Sequence, residues 1–386
     1  MAVDLGEWLN LALRWLHLVA GIAWIGSSFY FVWLDNHLKQ PAEGDASGEL
    51  WSVHGGGFYH NQKYQVAPAK MPDELHWFKW EAYFTWLSGF SLLVLIYYVG
   101  ATSFLIDPAK AALSPAQGIA IGLASLALGW LVYDGLCRSP LGASNRLLGL
   151  FWFACLLWAA ALLDSLFSAR AAYLHIGAIV GSVMVGNVFF IIIPNQRKVV
   201  ADLIAGRTPD PALGAAAKQR SLHNNYMTLP VLFIMISQHY PMTYGAQRPW
   251  LALALLGLTG VAVRHIFNLR GRGQPAGRAI VLAAVLAAAS VTYVTWEKSG
   301  AAPGPAGNVT FAEIQPIIAT HCAACHNVPA PPRGVALDSW AHVGAASVRI
   351  KAVAVDAQIM PLGNPTHMTP AERQLLGAWI AAGSPR

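Results

Sequence analysis

Charge is scarce in this sequence. Of 386 residues only 11% are Asp, Glu, Lys or Arg, against about 25% in an ordinary soluble domain. A chain this poor in charge cannot cover itself with a water-facing surface, which excludes a purely soluble protein. Cysteine is scarce too. Four are present: Cys137 and Cys155 lie in or near apolar stretches, and Cys322 and Cys325 stand apart as a pair. That distribution excludes a disulfide framework. The net charge of +6 is small for the length. It reads as loop charge that orients helices, so no nucleic-acid partner is expected. A basic region before the first apolar run is missing. Asp4 and Glu7 stand there instead, and no clear small-residue cleavage site follows, so the run reads as a retained helix rather than a cleaved signal peptide.

What the sequence has in quantity is apolar length: 55% of it is hydrophobic. A membrane span needs about 20 mostly apolar residues, and only helices satisfy an open backbone in lipid. Segments at 8–34, 79–99, 114–133, 146–167, 172–194, 225–240, 249–268 and 278–296 meet that requirement. The pattern predicts an all-α fold built on an eight-transmembrane-helix bundle. Basic residues alternate between its loops. Lys39, Lys63, Lys70, Lys79, Arg138, Arg146, Arg197, Lys198, Arg207, Lys218, Arg220, Arg270, Arg272 and Arg278 fall on one side, and Lys110, Arg170 and Arg248 on the other. The positive-inside rule puts the first set in the cytoplasm and both termini outside. Trp15-Leu16-His17 and Tyr173-Leu174-His175 open the first and fifth segments alike, and Asp134 falls where His265 falls. A four-plus-four repeat is one reading of this likeness, and chance among apolar helices is the other.

The composition changes after Trp296. Residues 299–308 form a Gly/Ala/Pro linker between a membrane domain, 1–298, and a soluble domain, 309–386. That soluble piece is small for an independent core, and small domains need a staple such as a cofactor. Cys322-Ala323-Ala324-Cys325-His326 supplies one. Two thiols three residues apart reach both vinyl groups of one porphyrin, and the next His sits under the iron, which is the c-type haem pattern. Cys322 and Cys325 are the covalent attachment residues and His326 is the proximal ligand. Met360, followed by Pro361 in an extended stretch, is the expected sixth ligand, with Met368 as competitor. A small α-helical, class I-like cytochrome c domain follows. No second cysteine pair is present to complete a zinc site. Haem is attached outside the cytoplasm in bacteria, in agreement with the basic loops.

Ionisable groups inside spans are costly and mark function. His17, His175 and His239 fall toward the outer side and are candidate ligands of a haem b. The same residues also read as hydrogen-bonded packing or interfacial histidines. A second polar set collects at the cytoplasmic helix ends: Asp35, Asn36, Glu81, Asp134, Asn195, His223, Asn224, Asn225, Arg264 and His265. It reads either as a pocket or as a solvated rim. The stretch His54-Gly55-Gly56-Gly57-Phe58-Tyr59-His60-Asn61-Gln62-Lys63-Tyr64 combines glycines that permit close backbone approach with aromatics able to stack on a planar ligand.

Taken together, Trp15–Asp35, His54–Tyr64, Trp77–Trp86 and Cys322–His326 resemble the bacterial membrane-bound urate oxidase (urate hydroxylase) family with a C-terminal cytochrome c domain. The resemblance implies oxidation of urate to 5-hydroxyisourate in purine degradation. Electrons would pass to the haem c and on to a soluble cytochrome c or terminal oxidase, with no hydrogen peroxide formed. Urate is a planar anion, so its recognition calls for donors. His54, Gly55, Gly56, Gly57, Phe58, Lys63, His223, Asn224 and Arg264 are the candidates. His265, Glu81 and Asp35 are candidate general bases, with Asp134 to orient His265. The competing functions are a membrane-anchored cytochrome or quinol oxidoreductase, and a transporter-like module carrying a redox sensor. A pocket at the cytoplasmic rim would lie roughly 30 Å of hydrocarbon from the haem c. Either an intramembrane haem relays electrons or the pocket lies near the outer face. Pyridine haemochrome analysis of pure protein separates these, because a c-type signal alone removes the relay.

Overall fold

The computed structural model describes residues 5–64, 68, 72–246, 248–299, 309–327, 331, 334–356, 358–362, 364 and 366–386. Most of the expected linker, residues 300–308, and the loop cation Lys70 lie outside the described residues.

The membrane half is a bundle of long helices: α1 (Leu5–His37), α2 (Trp80–Leu93), α3 (Pro115–Arg138), α4 (Asn145–Leu166), α5 (Ala169–Ile204), α6 (Pro211–Ser237), α7 (Pro249–Gly271) and α8 (Gly277–Ser299). Six of them, α1, α3, α4, α5, α7 and α8, are long and apolar enough to cross a membrane. α2 and α6 miss that measure for local reasons. α2 runs on through π-turns at Val94–Tyr98 and Ala101–Leu105. α6 carries Lys218, Arg220, His223, Asn224 and Asn225 before its apolar part.

The sixth helix begins well before the expected position 225. Asp210 caps it by accepting from the Ala212 amide at 2.8 Å, and Pro211 occupies the first turn. Lys218 and Arg220, expected in a loop, therefore lie on a helix. α5 likewise extends to Ile204 and takes in Arg197 and Lys198. Hydropathy alone missed both extensions because their side chains are polar.

α5 is the central helix. Tyr173, His175, Ile176, Ile179, Val180, Val183 and Met184 are buried along it, and α3, α4 and α6 pack around it. α1 and α8 sit outside. Trp8, Trp15, Leu18 and Ile22 on α1, and Val281, Val285 and Val291 on α8, are exposed. Contiguous apolar faces of this kind suit a lipid surface and not water.

One departure from an all-α chain lies between α1 and α2. β1 (Gly48–His54) and β2 (Gly57–Lys63) pair antiparallel, with His54 opposite Gly57. Gly55 and Gly56 have φ of +57° and +79°, so this two-residue turn requires residues at home in the left-handed region. The glycines thus turn a hairpin, flanked by Trp51, Val53, Phe58 and Tyr59, aromatic and β-branched residues that favour strands.

The C-terminal unit comprises α9 (Phe311–His321), α10 (Trp340–Ala345) and α11 (Pro370–Ala381). Glu313 and Glu372 cap α9 and α11 by accepting from the Thr310 and Thr369 amides at 2.9 and 2.7 Å. Ile314, Ile317, Ile318, Val343, Leu376 and Trp379 form its core. It sits at the end of the bundle opposite the basic loops, against the turn Pro241–Tyr244.

Helix contact within the bundle depends on small residues. At Gly122 of α3 an added Cβ would fall 2.7 Å from Tyr98 Oη and 2.8 Å from His175 Nε2. Gly122→Ala is expected to lower stability by about 1–3 kcal/mol through overpacking, read as a lower thermal midpoint of purified protein. An unchanged midpoint would show that α3 and α5 part without cost.

Candidate functional site

At the end of the bundle that carries the basic loops, α6 holds two polar clusters together. In the first, Arg220 donates to Asp134 Oδ1 at 2.7 Å and to Asn187 Oδ1 at 3.2 Å. Asn187 donates to Tyr133 Oη at 3.2 Å and to Asn224 Oδ1 at 2.9 Å. The Tyr133 hydroxyl lies 2.8 Å from His223 Nδ1. The charges of this network are paired and its members bonded, as buried polar groups require. In the second cluster Arg264 and Asn268 both donate to Asn225 Oδ1, at 3.1 and 2.8 Å, and Arg264 lies 3.9 Å over the Phe29 ring. Asn225 Nδ2 and Asn268 Oδ1 are buried without a partner among the described residues.

The expected polar set is thus only partly assembled. Asp134, His223, Asn224, Asn225 and Arg264 enter these clusters. His265 does not: it is exposed on α7, with Nδ1 2.7 Å from the Tyr226 hydroxyl. Asp134 pairs with Arg220 and Arg138 rather than orienting His265. Asp35 pairs with Lys63 at 2.7 Å on the surface, Glu81 is half-buried at the start of α2, Asn36 abuts Gly271, and Asn195 donates to Leu213 O at 3.1 Å. His54, Gly55, Gly56 and Phe58 are exposed at the hairpin tip, with open space around both turn glycines; Gly57 is half-buried. Asn187, Tyr133, Arg220 and Asn268 were not singled out from the sequence. Asn187, a polar residue inside an apolar helix, was the available signal.

The three histidines do not converge on a haem b. His175 is fully buried, with Nδ1 2.8 Å from Ala171 O and Nε2 3.3 Å from Tyr98 Oη, among Tyr97, Tyr98 and Phe167. His17 Nδ1 lies 2.9 Å from Thr85 O and 3.2 Å from Ser88 Oγ. The two therefore meet the second helix at positions 88 and 98, roughly 15 Å apart along its axis. His239 is exposed at the other end of α6. A porphyrin sandwiched between two imidazoles does not fit this arrangement.

The C-terminal motif is different. His326 Nδ1 lies 2.9 Å from Val335 O, which fixes the ring and leaves Nε2 for a ligand, the usual outer bond of an iron-bound histidine. Cys322 and Met360 both pack on the small domain's core. The Met360 strap is clamped: Val353 O accepts from the Ile359 and Met360 amides at 2.8 and 3.0 Å, and buried Arg373 donates to Met360 O at 2.6 Å. Met368 is more deeply buried, with its main chain bracketed by Asn364. Burial pushes the Cys322 thiol up to about 11, with Arg373 acting against it. These are residues that would suit a covalently held porphyrin, with Cys322 and Cys325 to attach it and His326 and Met360 as ligands. A haem iron takes only two ligands from the protein, and among the described residues no three His, Cys, Asp or Glu side chains gather to hold a free metal ion.

Between the small domain and the bundle lies a cavity of about 510 Å³. Asp107, Lys110, Asp164 and Arg170 line it from the bundle, and Ile359 and Pro361 from the strap. Ile359 also packs on the membrane core.

An apolar outer belt, buried ionic clusters and an attached small helical domain define a membrane protein with room for polar chemistry at either end. Within that class the chain belongs to the urate oxidase N-terminal family, which matches residues 3–295. The match covers the bundle, stops before the small domain, and carries a urate-related oxidoreductase function with it. No curated protein and no solved structure matches the chain.

Arg220 and Asp134 make a direct test of the first cluster. Removing one partner of a buried ion pair costs about 3–5 kcal/mol, so Arg220→Met alone is expected to lower the thermal midpoint sharply. The double variant Asp134→Asn/Arg220→Met should lose less than the two singles summed. Additive losses would mean that the pair is not coupled.

Proposed function

We propose that the chain oxidises urate in the bacterial inner membrane through an eight-span bundle and passes the electrons to a haem c on domain 309–386. The reading is supported by one juxtaposition. A family fold for urate chemistry, over 3–295, carries a Cys-x-x-Cys-His domain whose Met360 strap packs on the bundle through Ile359.

The reaction balances as urate plus water giving 5-hydroxyisourate, two protons and two electrons. Water supplies the oxygen at C5, so dioxygen is not consumed and no hydrogen peroxide forms. Cys322 and Cys325 would hold the porphyrin by thioether bonds, and His326 and Met360 would ligate its iron, which supplies one-electron acceptance. Two successive transfers follow from that. Val335 O would hold the His326 ring in register, and Arg373 would hold the strap by its Met360 carbonyl. The small domain lies away from the basic loops, in keeping with a periplasmic cytochrome that hands electrons to a soluble cytochrome c or a terminal oxidase. The Arg220 and Arg264 clusters brace the opposite end.

In anaerobic membranes urate should reduce about two equivalents of haem c per molecule, quinol should reduce none, and no peroxide should appear in air. Reduction by quinol but not urate would establish the membrane-anchored carrier instead.

A further inference from the structure

We propose that the cavity between the bundle and the Met360 strap is the urate site, with Arg170 as its anion anchor. The proposal rests on the reading of the chain as a urate oxidiser and deepens it.

Four observations carry it. First, the size is right: about 510 Å³ lies within the roughly 300–1,000 Å³ of small-molecule clefts.

Second, among the described residues one lining cation bonds to no carboxylate. Lys110 donates to Asp164 Oδ1 at 2.8 Å. Asp107 accepts from the Ala109 amide at 3.0 Å, and its charge acts on Arg373 of the small domain. Arg170 makes one side-chain bond among the described residues, to Gln238 Oε1 at 3.1 Å, and its Nε is enclosed with no acceptor. Arg14 adds positive potential nearby. A guanidinium with an unused donor matches the planar, multi-acceptor edge of a urate anion.

Third, the backbone adds to this. α5 begins at the cavity wall, with Ser168 as its cap and Ala169 and Arg170 as its first residues. The Ala169 and Arg170 amides have no acceptor within the helix, so the positive end of the helix faces the cavity.

Fourth, the place solves the distance problem. Ile359 and Pro361 line the cavity and flank Met360 directly, so an electron leaving the cavity crosses only the strap. From the Arg264 cluster it would cross most of roughly 30 Å of hydrocarbon. Arg170 is therefore a binding residue on the side of the membrane that carries the small domain.

Two measurements test this on the full-length holoprotein. In sealed vesicles, sorted by protease release of the C-terminal domain, urate should reduce the haem when added to the face bearing that domain. For Arg170→Gln the KM for urate should rise about tenfold or more, with a smaller change in kcat and an unaltered haem spectrum. Arg170→Lys should fall between it and the parent. Equilibrium dialysis of labelled urate against pre-reduced protein, which cannot turn over, should show the same loss of affinity. Reaction only from the opposite face, or urate binding unchanged in Arg170→Gln, overturns the site while the urate oxidation stands. Reduction from neither face overturns both. The vesicle test uses the unmodified chain, so it decides the question even if the variants fail to fold.

Discussion

The contact of the Met360 strap with the outer end of the bundle is the constraint on which the rest turns. Ile359 packs on the membrane core while its neighbour Met360 packs on the core of the small domain. The two bodies share one short segment, pinned by Val353 O and by Arg373. Tunnelling falls steeply with distance, so the redox role proposed for the small domain depends on where this strap holds it.

The two ends of the bundle have different characters. At the basic end, Arg220 is buried in a network that pairs its charge with Asp134 and satisfies its donors. Such a network fixes how α3, α5 and α6 meet. Arg264 shares a single asparagine oxygen with Asn268. At the outer end Lys110 and Asp164 pair off, and Arg170 keeps an unsatisfied donor beside a cavity. A donor left without an acceptor is costly in isolation and becomes useful when an anion arrives.

Much of the helical frame was legible in the sequence, because 20-residue apolar runs permit few other structures. The change of composition after Trp296 and the cysteine motif were equally plain. Legibility failed where a helix carried polar residues. Asp210 and Pro211 start α6 well before its apolar part, and hydropathy does not register a cap. The glycine stretch was read for its backbone access, whereas Gly55 and Gly56 use their left-handed φ to turn a hairpin. His265, a candidate base, directly follows Arg264, yet adjacent residues on a helix point about 100° apart, and only Arg264 is buried.

The sequence by itself determined the apolar helices, the sidedness expected from basic loops, and a thiol pair followed by histidine. These depend on composition and on neighbours a few residues apart. Tertiary structure decided which polar residues meet. Arg170 looked like a sparse outer-loop cation until α5, the 106–110 turn and the 358–362 strap closed around it. His17 and His175 looked like partners until packing set them at different levels of one helix. Burial, pairing and distance across the bundle are properties of contacts between residues far apart in the chain, and no local pattern encodes them.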